Sequence, residues 1–215
     1  MGIKKTSTIK KAPKKLYFAV LAADTLLFTL RDGKLYIRLI PVHLPPHFNN
    51  LSGLPGGLIR PEETAEQTAL RLLRDKAHVS AQHVYLEQLY TFSAIKRDPR
   101  GRVVAVAYLA VIPWSRLSKD EQKDADYARW FPVEHLPKLA YDHKEIISIG
   151  IKRLKSKATS TTLMAKLMPG EFTLTELEQA YESVLGRDID KRNFRKKILK
   201  LDVLKKIIIA DNVRV

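Results

Sequence analysis

Two β-forming runs before a single amphipathic helix, and two after it, constrain this chain more than any other feature. "LYFAVLAADTLLFTLRDGKLYIRLIPV", residues 16–42, is filled with leucine, β-branched and aromatic side chains, and Arg31-Asp32-Gly33-Lys34 marks a tight turn within it. "HLPPHFNNLSGLPGG", residues 43–57, is punctuated so densely by Pro and Gly that it predicts a loop. "PEETAEQTALRLLRDKA", residues 61–77, predicts a helix with Pro61 near its first turn, acids at its start and bases at its end. "VYLEQLYTFSA" and "RVVAVAYLAVIP" then read as strands on either side of the charged turn "IKRDPRG". Strands on both sides of a helix predict an α+β chain built on a mixed sheet.

After this region comes a polar, helix-poor connector, "SRLSKDEQKDADYARWFPVEHLPKLA", and then a helix, "YDHKEIISIGIKRLKSKA". From Thr159 onward the pattern changes to short helices ("TTLMAKLMP", "TLTELEQAYESVLG" and "DIDKRNFRKKILKL") closed by an apolar strand. A length of 215 residues has room for two modest domains. The expected division is a basic flexible arm (1–15), a sheet domain (16–155) with a linker helix near 141–157, and a helical domain (158–215).

The formal net charge is +15, more than solubility requires, and it points to a polyanionic partner. No cysteine is present, which excludes a disulfide framework, thiolate metal sites and a cysteine nucleophile. The start "MGIKKTSTIKKAPKK" matches a loose myristoylation pattern and faintly resembles a signal peptide, but Asp24 interrupts the apolar run that follows. No run approaches the ~18 apolar residues of a membrane span. The chain is therefore read as cytoplasmic, without a membrane partner.

Asp190 is placed to cap a helix whose first turns carry Lys191, Arg192, Asn193, Arg195, Lys196 and Lys197. At ~100° per residue, Phe194, Ile198 and Leu201 share one stripe, leaving a basic front free of acids. These six polar residues are the candidate DNA contacts: Arg bonds guanine bidentately, Asn reads adenine, and Lys meets phosphate. "TLTELEQAYESV" and the turn "LGRD" precede them as the first half of a helix-turn-helix, and Lys205 and Lys206 sit on the closing wing. A solvated basic face fits the same pattern, as does a module for RNA. The six lysines of the arm add further phosphate contacts or form a free tail.

Gly57, Glu63, Arg71, Leu73 and Val79 stand at the spacing of the Nudix box, the loop–helix–loop signature of hydrolases that act on nucleoside diphosphates linked to another group. Working members of that family supply glutamates after the arginine to hold a divalent metal. Here the corresponding residues are Leu72, Asp75 and Lys76, and His78 replaces a box glycine. An isobutyl group and an ammonium cannot hold magnesium, which needs hard oxygen ligands. No catalytic residue, metal or cofactor is expected. The alternative is an active hydrolase whose Glu62, Glu63 and Glu66 have regrouped around metal.

The turn "IKRDPRGR" still suits a phosphorylated ligand, since guanidinium groups favour diphosphate. Arg60, Arg97, Asp98, Arg100 and Arg102 are the candidate ligand-binding residues, with Asp98 accepting from ribose hydroxyls or pairing with an arginine. A surface turn held by an Asp–Arg bridge reads equally well.

Three stretches together resemble the Nudix-related transcriptional regulators, the NrtR group: "LEQLYTFSAIKRDPRGRVVAVAYLAVIP", "YDHKEIISIGIKRLK" and "FTLTELEQAYESVLGRDIDKRNFRKKI". The chain differs from that group's usual pattern at Ser93–Lys96 and in its long basic arm. The resemblance implies an α/β/α Nudix-like mixed-sheet domain followed by a winged helix-turn-helix. It also implies a homodimeric repressor of NAD-metabolism genes that binds double-stranded operator DNA and is released by ADP-ribose. Relatives of the same architecture that sense pentose sugars leave a sugar-pathway regulator as the alternative.

Overall fold

The computed structural model describes residues 18–205 and the backbone of residues 207–209 and 212–214. The arm of residues 1–15 and Lys206 lie outside the described residues. The sheet is built around β1 (Val20–Arg31), in which residues 22–30 are all buried. Asp32 and Gly33, both at positive φ (49° and 72°), turn the chain into the antiparallel β2 (Lys34–Leu44). β3 (Phe48–Gly53) pairs with β2, and β4 (Gly56–Leu58) pairs with β1.

The helix α1 (Ala65–Ala77) follows, then the antiparallel pair β5 (Tyr85–Phe92) and β6 (Val103–Val111). β6 runs parallel to β1, so the seven-stranded sheet is mixed, with main order β3-β2-β1-β6-β5. β7 (Arg129–Pro132) pairs antiparallel with β2.

Alternation along β1 sends its side chains to two cores. Leu27 packs with Leu73, Ala77, Val79 and Trp130 beneath α1. Leu26, Phe28 and Leu30 pack with Ile146, Ile147 and Leu154 of α2 (His143–Ser160) on the opposite face. Gly150 makes that second contact close: a Cβ there would lie 2.3 Å from Leu26 Cδ2. Among the described residues no helix is long and apolar enough to cross a membrane.

The C-terminal part is a winged helix. α3 (Leu174–Leu185) starts at a Thr173–Glu176 capping box and stops at Gly186, φ 67°. α4 (Lys191–Lys200) follows, then a hairpin of β8 (Ile207–Ile209) and β9 (Asn212–Arg214). Tyr181 and Phe194 pack edge to face, ring centroids 5.0 Å apart, and join the two helices. The apolar cluster beneath α2 continues through Met164, Leu167, Leu177 and Ala180, so the two halves share buried surface. The β1–β2 turn also rests on α3: the Leu35 backbone N–H donates to Ser183 Oγ at 2.8 Å.

Several local expectations need correction. The Pro/Gly-rich stretch contains β3 and β4, and the polar connector contains β7; these short strands pair with neighbours already in the sheet. α1 begins at Ala65, not Pro61, because Thr64 and Gln67 form a capping box and fix the start. Of "TTLMAKLMP" only Leu163–Lys166 is helical, as a 3₁₀ turn. The final strand is two short strands.

Candidate functional site

A cavity of about 340 Å³ opens where β1, β2, β4, the turn after β5 and the start of α2 converge. Its charged lining is Asp24, Lys76, Arg97, Asp98 and Arg100, with His143 and the Tyr141 ring beside them. β4 brings the glycines of the box against β1, pairing Gly56 with Asp24 and Gly57 with Ala23. A Cβ on Gly56 would lie 2.0 Å from Asp24 Oδ1, so any side chain there would displace that carboxylate.

Arg97 is buried and bonds two carboxylates. Its Nε and Nη2 each lie 2.8 Å from an oxygen of Asp142, and Nη2 also lies 3.1 Å from Asp24 Oδ2. Burial opposes its charge, but hydrogen bonds to Asp142 and the Asp24 charge outweigh that and raise its pKa. Asp24 also stands 3.8 Å from His143 Nε2. His143 Nδ1 accepts from the Leu54 N–H at 3.0 Å, and burial pushes its pKa down, so the ring is neutral. Asp142 and His143 begin α2, so one network joins the cavity floor to the helix that leads into the winged domain.

The other candidate ligand residues are distributed unevenly. Asp98 is buried and bonded to Arg100 through two guanidinium contacts of 3.0 and 2.7 Å, which hold its carboxyl below the usual range. Arg100 remains half-exposed and lies 5.9 Å from the Tyr141 ring centre. Arg60 and Arg102 are outside the lining: Arg60 is 3.7 Å from Glu63, and Arg102 donates to the carbonyls of Ser93 and Ala94. Lys76, Asp24, Tyr141 and His143 line the cavity without having been candidates. Of these four only Lys76 carried a signal of its own in the sequence, its position in the box.

The box acids do not fit a divalent metal. Glu63 is clamped by Arg71, Nε at 2.6 Å and Nη2 at 2.8 Å, and by Thr68; the arginine holds its carboxyl down to about 2. Asp75 pairs with Arg74 at the surface. Leu72 is buried, and its Cδ2 would lie 3.0 Å from a Cβ on Gly57. Lys76 donates to the Gly56 carbonyl at 2.7 Å. Among the described residues no group of three His, Cys, Asp or Glu is arranged to hold a metal.

The second candidate surface is α4. Asp190 caps it through the Asn193 N–H at 2.7 Å, and Ile198 is buried against the core while Phe194 is partly covered. Lys191, Arg192, Asn193, Arg195, Lys196 and Lys197 are all exposed. They divide into two sets. Lys191 and Arg195 approach the buried carboxylate of Glu178 on α3, at 3.2 and 3.5 Å, and Arg195 also reaches Thr175. Arg192, Asn193, Lys196 and Lys197 make no such contact among the described residues, and they form the free basic face.

The NUDIX domain model matches residues 22–148, and the NrtR DNA-binding winged helix domain model matches residues 164–212. The ADPR responsive transcriptional repressor NtrR of Acinetobacter baylyi is 33% identical over 189 residues, covering 86% of this chain and 74% of that protein. The crystal structure of Shewanella oneidensis NrtR complexed with a 27mer DNA superposes with a TM-score of 0.73 at 32% identity, covering 90% of each chain. The NUDIX domain of the same Shewanella protein, complexed with ADP ribose, matches with a TM-score of 0.54 at 35% identity, over 66% of this chain and 93% of that one. A degenerate metal site, a winged helix and a full-length likeness to these regulators agree: the chain belongs to the NrtR family, with a NUDIX domain followed by a winged helix domain.

Proposed function

We propose that this protein is a transcriptional repressor of NAD-metabolism genes that binds operator DNA as a homodimer and leaves it when ADP-ribose enters the NUDIX cavity. The single observation that carries this reading is the Arg97 bridge between Asp24, on the cavity wall, and Asp142, at the head of α2. A ligand that perturbs Asp24 or Arg97 acts on the helix leading to the DNA-binding domain. It shifts the arrangement of the two winged helices only by its differential affinity for the bound and released forms.

The Acinetobacter relative is named for its response to ADPR, and the Shewanella protein was crystallised with DNA and, as its NUDIX domain, with ADP ribose. The free basic face of α4 supports the DNA half of the reading. The occupied carboxylates and the lysine at the metal position support a domain that binds its ligand without cleaving it. Two recognition helices in one dimer would enter successive major grooves of a palindromic site.

The test uses labelled duplexes from the DNA flanking the gene, titrated with and without ADP-ribose. Tight binding to a palindromic duplex, release by ADP-ribose, and recovery of intact ADP-ribose after incubation with magnesium are expected. Preference for structured RNA, indifference to ADP-ribose, or its steady hydrolysis would overturn the reading.

A further inference from the structure

Among the charged groups that line the cavity, Lys76 is distinguished by what it lacks. Asp24 is engaged by Arg97, Arg97 by Asp24 and Asp142, and Asp98 and Arg100 by each other. Among the described residues Lys76 makes one hydrogen bond, to the Gly56 carbonyl, and no ion pair. An ammonium has three donors, so two remain unused beside the cavity that Lys76 lines. Partial burial works against its charge and lowers its pKa, while Asp24 pulls it back up. An exposed ammonium held at the edge of the cavity by a neutral carbonyl is placed to meet an anion.

Its position in the chain sharpens this. Lys76 stands where a metal-binding acid of the box would stand, and its Nζ would lie 3.5 Å from a Cβ on Gly57. Leu72, one helical turn earlier, fills the adjoining space with a buried side chain. The two residues leave a single fixed positive charge beside the box glycines.

We propose that Lys76 takes over the place of the divalent cation, so that the cavity binds a diphosphate-bearing ligand directly and without metal. Lys76 donates to phosphate oxygens from the box side and Arg100 from the opposite turn, each through charge-assisted hydrogen bonds. The inference rests on the reading of this cavity as the effector site, and it makes Lys76 the residue that sets preference for diphosphate over an uncharged sugar.

Calorimetric titrations of the full chain test it, with ADP-ribose and separately with inorganic pyrophosphate, in EDTA and in magnesium. The variants are Lys76→Met and Lys76→Arg, with thermal melting to confirm that each folds. The wild type should bind ADP-ribose equally well in EDTA and in magnesium. Lys76→Met should weaken it roughly 10- to 100-fold, the range of a hydrogen bond to a charged group, and Lys76→Arg should recover much of the loss. DNA affinity without ligand should not move.

Wild-type binding that requires magnesium, or Lys76→Met binding equal to wild type, overturns the proposal while leaving the repressor reading intact. Pyrophosphate binding that depends on Lys76, without any binding of ADP-ribose, supports the anion site and sinks the effector assignment instead. Absence of binding to either probe overturns both.

Discussion

Arg97 grips Asp142 with two parallel hydrogen bonds of 2.8 Å, joining the turn after β5 to the first residue before α2. The pair is nearly enclosed, with the arginine side chain 4% exposed and the aspartate 14%. Breaking a buried pair by removing one partner costs about 3–5 kcal/mol. Arg97→Met should therefore lower the melting temperature markedly. Asp142→Asn keeps the shape and removes the charge, so it should leave DNA affinity near wild type while reducing the shift in that affinity caused by ADP-ribose. Anisotropy titrations with and without ADP-ribose give both numbers, and an undiminished shift would show that the bridge carries no coupling.

His143 makes stability depend on pH. Burial lowers its pKa below the ordinary 6.5, against the pull of Asp24 and Asp142 and with the push of Arg97. The unfolded chain takes up a proton near 6.5 and the folded one resists it. Its contribution is thus fully present above that value and is lost as pH falls below it towards the lowered folded value. Denaturant melts between pH 7.5 and 5 should show a slope approaching ~1.4 kcal/mol per pH unit from this residue. His143→Asn, which retains an acceptor for the Leu54 N–H, should remove that part of the slope.

On α4, Arg192 and Lys196 belong to the set without carboxylate partners. Alanine at both positions should weaken operator binding without altering the melting temperature. If both meet phosphates in each subunit of a dimer, four contacts are lost and the slope of log K against log salt should become shallower by roughly 3.6. An unchanged slope with relaxed base preference would place them on base edges instead.

Glu178 is 1% exposed and holds Lys191 and Arg195 from beneath. Glu178→Gln should release both cations from this pairing. The expected result is tighter binding to random-sequence DNA, a steeper salt dependence, and a smaller ratio between operator and random-sequence affinity. Loss of both affinities together would mean that the carboxylate chiefly holds α4 in place.

Legibility in the sequence followed the range of the interactions. The α4 face was readable because Phe194, Ile198 and Asp190 are close neighbours in the chain and helical period places them. The leucine and lysine at the metal positions of the box were readable because its spacing puts Leu72 and Lys76 one turn apart. The environment of Arg97 was not, because its partners come from 73 positions before and 45 after. An arginine in a charged turn looks exposed until Asp24 and Asp142 are brought to it. Glu178 was hidden differently: in "TLTELEQAYESV" it is one of three glutamates, and only packing against α4 distinguishes it. β3 and β4 escaped notice because Asn, Ser and Gly do not favour strands, and β7 because its Trp130 and Phe131 make too short a run between polar residues and Pro132; partners from β1 and β2 supply the hydrogen bonds.

The winged domain is tied to the rest of the chain at two separated places: the continuous α2, and the β1–β2 turn whose Leu35 amide meets Ser183. Between these ties the buried cluster running from Leu26 and Ile147 to Met164, Leu167 and Leu177 is continuous. A displacement of the head of α2 would therefore be carried into the winged domain through packed side chains as well as along the helix.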